Sequence, residues 1–207
     1  MKQILFCAVL AAGLALSGCS STAPTAKKAK EPPPPPELVG GQSAAYMMFQ
    51  AARQWSQDVQ MFSMESIDFD SMRGKDGKFA AWRASFVSPS RGRIKTFTYS
   101  VVDAQGIRSG VSNEPDQPFM ARPQQTPFYI QAIRTDSPEA LKAALTDKQI
   151  KEMADKNPDS PLYFQIEATA QTQMAPAWRV VWGPSIAQSI GSAFVLADTG
   201  KFLKRLR

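Results

Sequence analysis

Residues 177–182 read Ala-Trp-Arg-Val-Val-Trp, and the first three of them repeat residues 81–83. A second match joins residues 99–106 to residues 193–200, and both of these segments end in glycine. The first two segments are 96 residues apart, and the closing glycines are 94 residues apart. Repetition at a nearly constant offset predicts one structural unit that is used twice. Two chance matches would produce the same pattern, so duplication is a hypothesis at this point.

The chain around the first copy has the pattern of one helix followed by strands. Ser43 is a candidate N-cap for a helix over about residues 44–60. Met48, Ala52 and Trp55 recur there at helical spacing and predict one apolar stripe. Three later segments alternate in polarity or are rich in aromatic and β-branched residues, which is typical of strands. These segments are residues 66–70, 79–87 and 94–103.

The chain around the second copy has the same order. Ser137 is a candidate cap, and Pro138 suits the first turn of a helix. Strand-like segments follow at residues 162–169, 178–182 and 192–198. The sequence therefore predicts an α+β fold of two helix-plus-antiparallel-sheet units, at residues 43–116 and 137–207, joined by a connector at residues 117–136.

The second unit resembles PepSY-type domains, in which a helix packs on a small antiparallel sheet. The residues that carry this resemblance are 178–182 and the closing segment 195–203, which ends in an apolar-Asp-x-x-Gly turn. The resemblance implies an envelope or secreted protein and a role in protease inhibition or regulation. It implies no catalytic residues. Cystatin-like modules would show a similar order of elements.

The N-terminus has the features of an export signal. Lys2 is followed by an uncharged apolar run over residues 4–16, which is shorter than the roughly 20 residues that span a bilayer. Residues 16–19, Leu-Ser-Gly-Cys, resemble the lipobox of bacterial lipoprotein precursors. The resemblance implies a signal peptide over residues 1–18, which is cleaved between Gly18 and Cys19. An ordinary secreted protein or an uncut anchor would be the alternatives.

The same resemblance implies lipid on Cys19, as a diacylglyceryl group on sulfur and a fatty acyl group such as palmitate on the new amine. Two or three acyl chains anchor a protein stably in a membrane. Ser20, rather than aspartate, follows the cysteine, which in the enteric sorting rule favours the periplasmic face of the outer membrane. Residues 19–42 contain five consecutive prolines and no apolar period, so we predict a disordered, proline-rich tether.

Composition excludes several chemistries. The chain has no histidine, and its two cysteines are Cys7 and Cys19, so Ser-His-Asp and Cys-His catalysis and most zinc sites lack their residues. The net charge is +6, but half of it lies in residues 1–36, and no basic face typical of nucleic-acid binding is visible. We therefore predict no catalytic residue, no metal, no cofactor and no nucleic-acid partner.

Carboxylates and tryptophans are the remaining candidates for chemistry. If residues 66–70 form a strand, Asp68 and Asp70 share one face, where paired carboxylates could act on a glycan. Arg73 could instead neutralise them. Trp82 and Trp178 could stack on a sugar, but their repetition favours equivalent packing positions in the core.

The functional hypothesis is a membrane-anchored envelope lipoprotein that serves as a non-catalytic protein- or peptide-binding module. Its expected partners are membrane lipid, through Cys19, and another envelope protein. The alternatives are a structural lipoprotein that binds peptidoglycan, and an envelope enzyme that acts on glycan with Asp68 and Asp70 or with Glu167.

Overall fold

The computed structural model describes residues 36–206. The predicted signal peptide, the predicted cleavage site at Gly18 and Cys19, and residues 19–35 of the predicted tether lie outside this range, as does Arg207. No helix between residues 36 and 206 is both long and apolar enough to cross a membrane.

The described chain contains three α-helices and ten strands, together with two short 3-10 helices at Ile130–Ala132 and Ala170–Thr172. The helices are α1 (Gly41–Trp55), α2 (Ser137–Ala144) and α3 (Lys148–Lys156). The strands are β1 (Gln60–Ile67), β2 (Ala81–Ser88), β3 (Arg93–Ser100), β4 (Gly110–Asn113), β5 (Gln117–Pro118), β6 (Gln125–Thr126), β7 (Leu162–Thr169), β8 (Pro176–Trp182), β9 (Gly191–Leu196) and β10 (Phe202–Leu206).

All strands belong to one antiparallel sheet. Its order is β10-β9-β8-β7-β1-β2-β3-β4, with β5 paired to β3 and β6 paired to β7. Each half is a four-stranded meander preceded by helix, and the two halves join where β1 pairs with β7. This confirms the predicted α+β fold of two helix-plus-antiparallel-sheet units. The arrangement is also pseudo-twofold, since strand order runs outward from β1 in one half and from β7 in the other.

The repeated tryptophans occupy equivalent positions in the two halves. Trp82 pairs with Tyr99 across the β2–β3 ladder, and Trp178 pairs with Val195 across β8–β9. Both indoles are fully buried, and their rings meet edge to face at 6.0 Å in the centre of the core. The prediction that they are packing positions is therefore confirmed. Tyr99 therefore corresponds to Val195, which is 96 residues later, whereas the closing glycines are 94 residues apart. The two extra residues of the first repeat lie in the turn after the third strand of its meander.

The helices cover one face of the sheet. Helix α1 packs on β2 and β3, while α2 packs on β8 and β9, so the pseudo-twofold relation extends to the helices. The core under them is continuous from one half to the other and includes the side chains of both central strands. The other face of the sheet carries no helix from residues 36–206, as is common for antiparallel sheets.

The two helix starts meet, and this corrects the predicted caps. The Gly41 N–H donates to Ser137 Oγ at 2.8 Å, and the Gln42 N–H donates to Asp136 Oδ1 at 2.7 Å. The N-cap residues are Gly40 for α1 and Asp136 for α2, whereas Ser43 lies exposed inside α1. The acceptors at the start of α1 come from the opposite half of the molecule, so local sequence does not reveal them, whereas α2 is capped by its own preceding residue, Asp136. Helix α1 also begins two residues inside the segment assigned to the tether.

The ends of α1 and β1 differ from the prediction as well. Helix α1 stops at Trp55 because Ser56 is extended, and the chain enters β1 at Gln60. The first strand was predicted at residues 66–70, but β1 ends at Ile67. Asp68 therefore follows the strand, and the expected alternation of side chains does not extend to it.

Candidate functional site

The outer face of the sheet, meaning the face opposite the helices, carries a row of polar side chains. Arg83 on β2 lies opposite Glu65 on β1, Glu65 lies opposite Gln165 on β7, and Gln165 lies opposite Arg179 on β8. These residues alternate with the buried Trp82 and Trp178, so they point away from the core. The pseudo-twofold relation exchanges Arg83 with Arg179 and Glu65 with Gln165.

The two arginines of this row have different surroundings. An ion pair joins Arg83 to Glu65, with Nη1 and Oε1 3.7 Å apart. At the matching position Arg179 faces Gln165, which is uncharged, and no carboxylate among residues 36–206 lies within 4 Å of the Arg179 guanidinium. A single Glu-to-Gln difference between the repeats thus leaves one half-buried arginine with an ion pair, and the other without one among residues 36–206.

Hydrogen bonds around the row are incomplete. The Tyr163 hydroxyl donates to Glu65 Oε2 at 2.6 Å, and burial, followed by the nearby Glu65 carboxylate, raises the pKa of Tyr163 well above its usual range. Two buried atoms of the row, Arg83 Nε and Gln165 Oε1, have no hydrogen-bond partner in the described part of the chain. Buried polar atoms are normally paired, so an unpaired one calls for an explanation such as water or a ligand.

A bulge in β1 turns an aromatic side chain toward the outer face. The β1–β2 register shifts between Met61 and Ser63, which leaves Phe62 out of the core cluster under the helices, although its side chain is buried. Phe119 packs edge to face on the Phe62 ring at 5.4 Å, and the Arg122 guanidinium lies 5.5 Å from the centre of the same ring. The segment 117–126, which pairs with β3 at one end and β7 at the other, is thereby fastened across this end of the sheet.

Two open cavities flank Arg122, and we call them together the Arg122 site. One, which we call the apolar cavity after most of its lining side chains, has a volume of about 470 Å³, but its wall also includes Thr96, Gln117 and Arg122. Its wall includes Phe62, Ile94, Pro118, Phe119 and Met120. The other is polar, with a volume of about 230 Å³, and is lined among others by Gln124, Gln125, Glu167 and Arg179. Arg122 lines both cavities.

Charges in the polar cavity are partly desolvated and unpaired. Burial raises the pKa of Glu167, and this rise is opposed by the positive charges of Arg179 and Arg122. Burial likewise lowers the pKa of Arg179, opposed chiefly by Glu167. None of these three groups is in an ion pair shorter than 4 Å within residues 36–206. Arg179 is instead held by its Nε, which donates to Ser192 Oγ at 3.3 Å, and by the Phe194 ring at 5.6 Å.

The predicted carboxylate pair does not form a free acid–base pair. Arg73 donates to Asp68 Oδ2 at 3.0 Å and to Asp70 Oδ1 at 2.6 Å, while Asp68 Oδ1 accepts the Gly74 N–H at 2.6 Å. These bonds close the loop after β1. Neutralisation of the two carboxylates by Arg73 is the alternative that the sequence left open, and it is the arrangement found here. Glu167 is separate from this pair, because it lies opposite Ser63, near the other end of β1.

Sequence reasoning missed most of the Arg122 site. Arg122 lies in the proline-rich segment that was assigned to the connector, and Arg179 was noticed only as part of the repeated Ala-Trp-Arg. Glu167 was considered, but without its neighbours. Only the mismatch of Glu65 with Gln165 between the repeats could have drawn attention to Arg179. Among residues 36–206, no group of three or more acidic residues is placed to hold a metal ion.

Comparisons with known proteins add little to this geometry. No family model matches the chain, and a search of curated proteins found no match. Among solved structures, a crystal structure from Clostridium difficile 630, of a protein proposed to be a lipoprotein, aligns with a TM-score of 0.41 and 7% sequence identity. The alignment covers 79% of this chain and 91% of that one. This similarity is too low to establish a shared fold, and the PepSY-like resemblance stays a prediction.

Proposed function

We propose that the chain is a bacterial envelope lipoprotein that is anchored by lipid on Cys19. The support is the coincidence of Lys2, the apolar run over residues 4–16 and the Leu-Ser-Gly-Cys box at residues 16–19. Diacylglyceryl and acyl chains on one cysteine would anchor the body stably. Ser20 favours the periplasmic face of the outer membrane, and residues 19–35 would separate the body from the bilayer.

The body would act as a non-catalytic module that binds a peptide segment of another envelope protein. The observation that carries this proposal is the Arg122 site, where an apolar cavity adjoins a polar one that contains unpaired, half-buried charge. Sites of this kind, with apolar walls and a few convergent polar groups, are typical of ligand binding. A carboxylate enzyme is less well supported, since Arg73 engages both Asp68 and Asp70.

The outer face suits a partner better than the sheet edges do. At one edge, β10 carries Lys204 and Arg205, and charged side chains of this kind discourage strand addition. At the other edge, β4 has only four residues, which offers few backbone hydrogen bonds to an added strand. The Arg122 site lies instead on the face that no described helix covers.

Site-specific photocrosslinking in cells would test this function. A photoreactive residue replaces Gln171, which lines the polar cavity and is exposed, or Gln50, which is exposed on α1 at the opposite face. We expect a crosslink to one envelope protein from position 171 and none from position 50, with loss of the product in Cys19→Ala if anchoring brings the partners together. Equal crosslinking from both positions, or recovery of the body only with sedimented peptidoglycan, would contradict the proposal.

A further inference from the structure

The asymmetry between the two repeats points to the chemistry of the ligand. Arg83 is paired with Glu65 at 3.7 Å, while its counterpart Arg179 faces Gln165 and borders a cavity with Arg122. The frame that positions both arginines is the same, so the missing carboxylate is a property of one site only. Gln165 fills the place of Glu65 without a charge, so an anionic group from outside can pair with Arg179 from the side of the cavity.

We propose that the Arg122 site binds the free carboxyl terminus of a peptide whose last side chain is apolar. The inference rests on the proposed peptide-binding function and specifies its ligand. The terminal carboxylate lies between the guanidinium groups of Arg122 and Arg179. The last side chain enters the apolar cavity beside Phe62.

Both arginines have donors to spare for a carboxylate. Within the described part of the chain, Arg179 donates only from Nε, toward Ser192, and Arg122 donates from Nη1, in a long 3.4 Å bond to Gln125 Oε1. The guanidinium group is planar and binds carboxylates through two parallel N–H bonds. Arg179 is held against the Phe194 ring, so part of the entropy cost of fixing its side chain has already been met.

The apolar cavity explains the preference for an apolar last residue. Its volume of about 470 Å³ accommodates a side chain of leucine or phenylalanine size, within the usual range for ligand cavities. Met120 on its rim is 81% exposed, and a flexible thioether side chain readily adapts to the shape of an apolar ligand. Arg122 borders both cavities, so the two cavities lie next to each other. The carboxylate and the side chain of a terminal residue are adjacent in the same way, so one residue can fill both.

Glu167 distinguishes a peptide from a simple organic acid. Its carboxylate lines the same polar cavity as the two arginines and repels an anion that brings no hydrogen-bond donor. A peptide terminus carries backbone N–H groups next to its carboxylate, and one of these can donate to Glu167. A fatty acid has the apolar part and the carboxylate but no N–H group, so the site disfavours it.

Fluorescence anisotropy with defined peptides tests the proposal on the purified full chain. The probe is an N-terminally labelled Gly-Gly-Ser-Gly-Ser-Leu with a free carboxyl terminus, and its partner is the same peptide as a C-terminal amide. We expect the acid to bind at least about tenfold more tightly than the amide, since charge-assisted hydrogen bonds are lost. A version ending in serine should also bind more weakly, and decanoate should compete poorly.

Variants at matched positions locate the effect. Arg179→Gln should lower the affinity for the acid about tenfold and remove the difference between acid and amide. Arg83→Gln, at the repeat-equivalent position outside both cavities, should change the affinity by less than about twofold. Thermal melting of each variant shows whether it is folded. If Arg179→Gln does not fold, the proposal is tested by the unaltered chain alone, through the ratio of its affinities for the acid and the amide peptide.

The outcomes separate the inference from the function on which it rests. Equal binding of acid and amide would overturn the carboxyl-terminus proposal and leave peptide binding intact. Binding of neither peptide, or competition by decanoate as strong as that of the acid peptide, would overturn the inference. If neither peptide binds, photocrosslinking from position 171 decides whether the proposed peptide-binding function fails as well.

Discussion

The repeat-equivalent tryptophans should differ in what they contribute to stability, although both are fully buried. The Trp82 indole N–H donates to Val39 O at 3.1 Å, and the Trp178 indole N–H donates to Thr135 O at 2.8 Å. Val39 O also accepts the Phe79 N–H at 3.0 Å. Thr135 O has no second donor in the described chain. Trp178→Phe should therefore leave a partly buried carbonyl without a donor among residues 36–206, whereas Trp82→Phe should not.

The expected magnitudes follow from the atoms that are removed. Replacing indole with phenyl deletes two buried carbons, which contribute about 1.6 kcal/mol at roughly 0.8 kcal/mol each. It also deletes one hydrogen bond, which contributes about 1 kcal/mol. Trp82→Phe should therefore cost about 2.5 kcal/mol. Trp178→Phe should cost up to about 1 kcal/mol more, the low end of the penalty for an orphaned carbonyl, because Thr135 O is only partly buried.

Urea unfolding followed by far-UV circular dichroism measures both costs, since this signal does not depend on the replaced indole. We expect a lower midpoint for Trp178→Phe than for Trp82→Phe, with similar slopes. Equal midpoints, or a lower midpoint for Trp82→Phe, would refute the argument that the second donor to Val39 O makes the difference.

Three further predictions concern single positions. Gly41→Ala should destabilise the protein by about 1–3 kcal/mol in urea unfolding, because its Cβ would lie 2.5 Å from Trp178 Cη2. Asp58→Asn should cost stability at pH 7, since hydrogen bonds from the Ser90 backbone and nearby serine hydroxyls hold the pKa of Asp58 well below 3.8; this cost should shrink as the pH falls below that value. Glu167→Gln should stabilise the protein at pH 7, because burial raises the pKa of Glu167 above 4.5 and penalises its charged form. That gain should vanish below pH 4.5, where the carboxyl is protonated in both states.

Each of these has an outcome that would contradict it. A neutral or stabilising Gly41→Ala would mean that the indole moves aside easily. A cost of Asp58→Asn that is independent of pH would show that the charge of Asp58 is unimportant. For Glu167→Gln, a loss of stability at pH 7 would indicate that the carboxylate forms an internal ion pair that the structure does not contain.

The elements were largely predictable, while their caps were not. Strand β7 matches its predicted range over residues 162–169, because an alternating apolar pattern and the flanking turn residues lie within the segment itself. The start of α1 was missed because its first N–H groups bond to Ser137 and Asp136, about 95 residues away. Asp68 differs, because its partners Arg73 and Gly74 are local: the sequence offered pairing with Arg73 as an alternative, and the bonds in the structure decide for it.

The candidate site was less predictable than the fold. Arg122 lies in a segment with no regular pattern, and its position beside Phe62 depends on a bulge in β1. Glu167 was proposed as a carboxylate of interest, but the two arginines that share its cavity come from segments separated by about 57 residues. Local residue patterns contain no information about such neighbours.

The sequence by itself predicted the class of the fold and raised the hypothesis that one unit is used twice, because alternation of polarity and a repeated Ala-Trp-Arg are properties of short segments. Only the tertiary structure decided that the two units share one sheet through the β1–β7 pair. It also decided that Arg179 faces a glutamine where Arg83 faces a glutamate. Pairing between distant strands depends on register and packing across the whole core, and a segment's own pattern specifies only which of its side chains point inward.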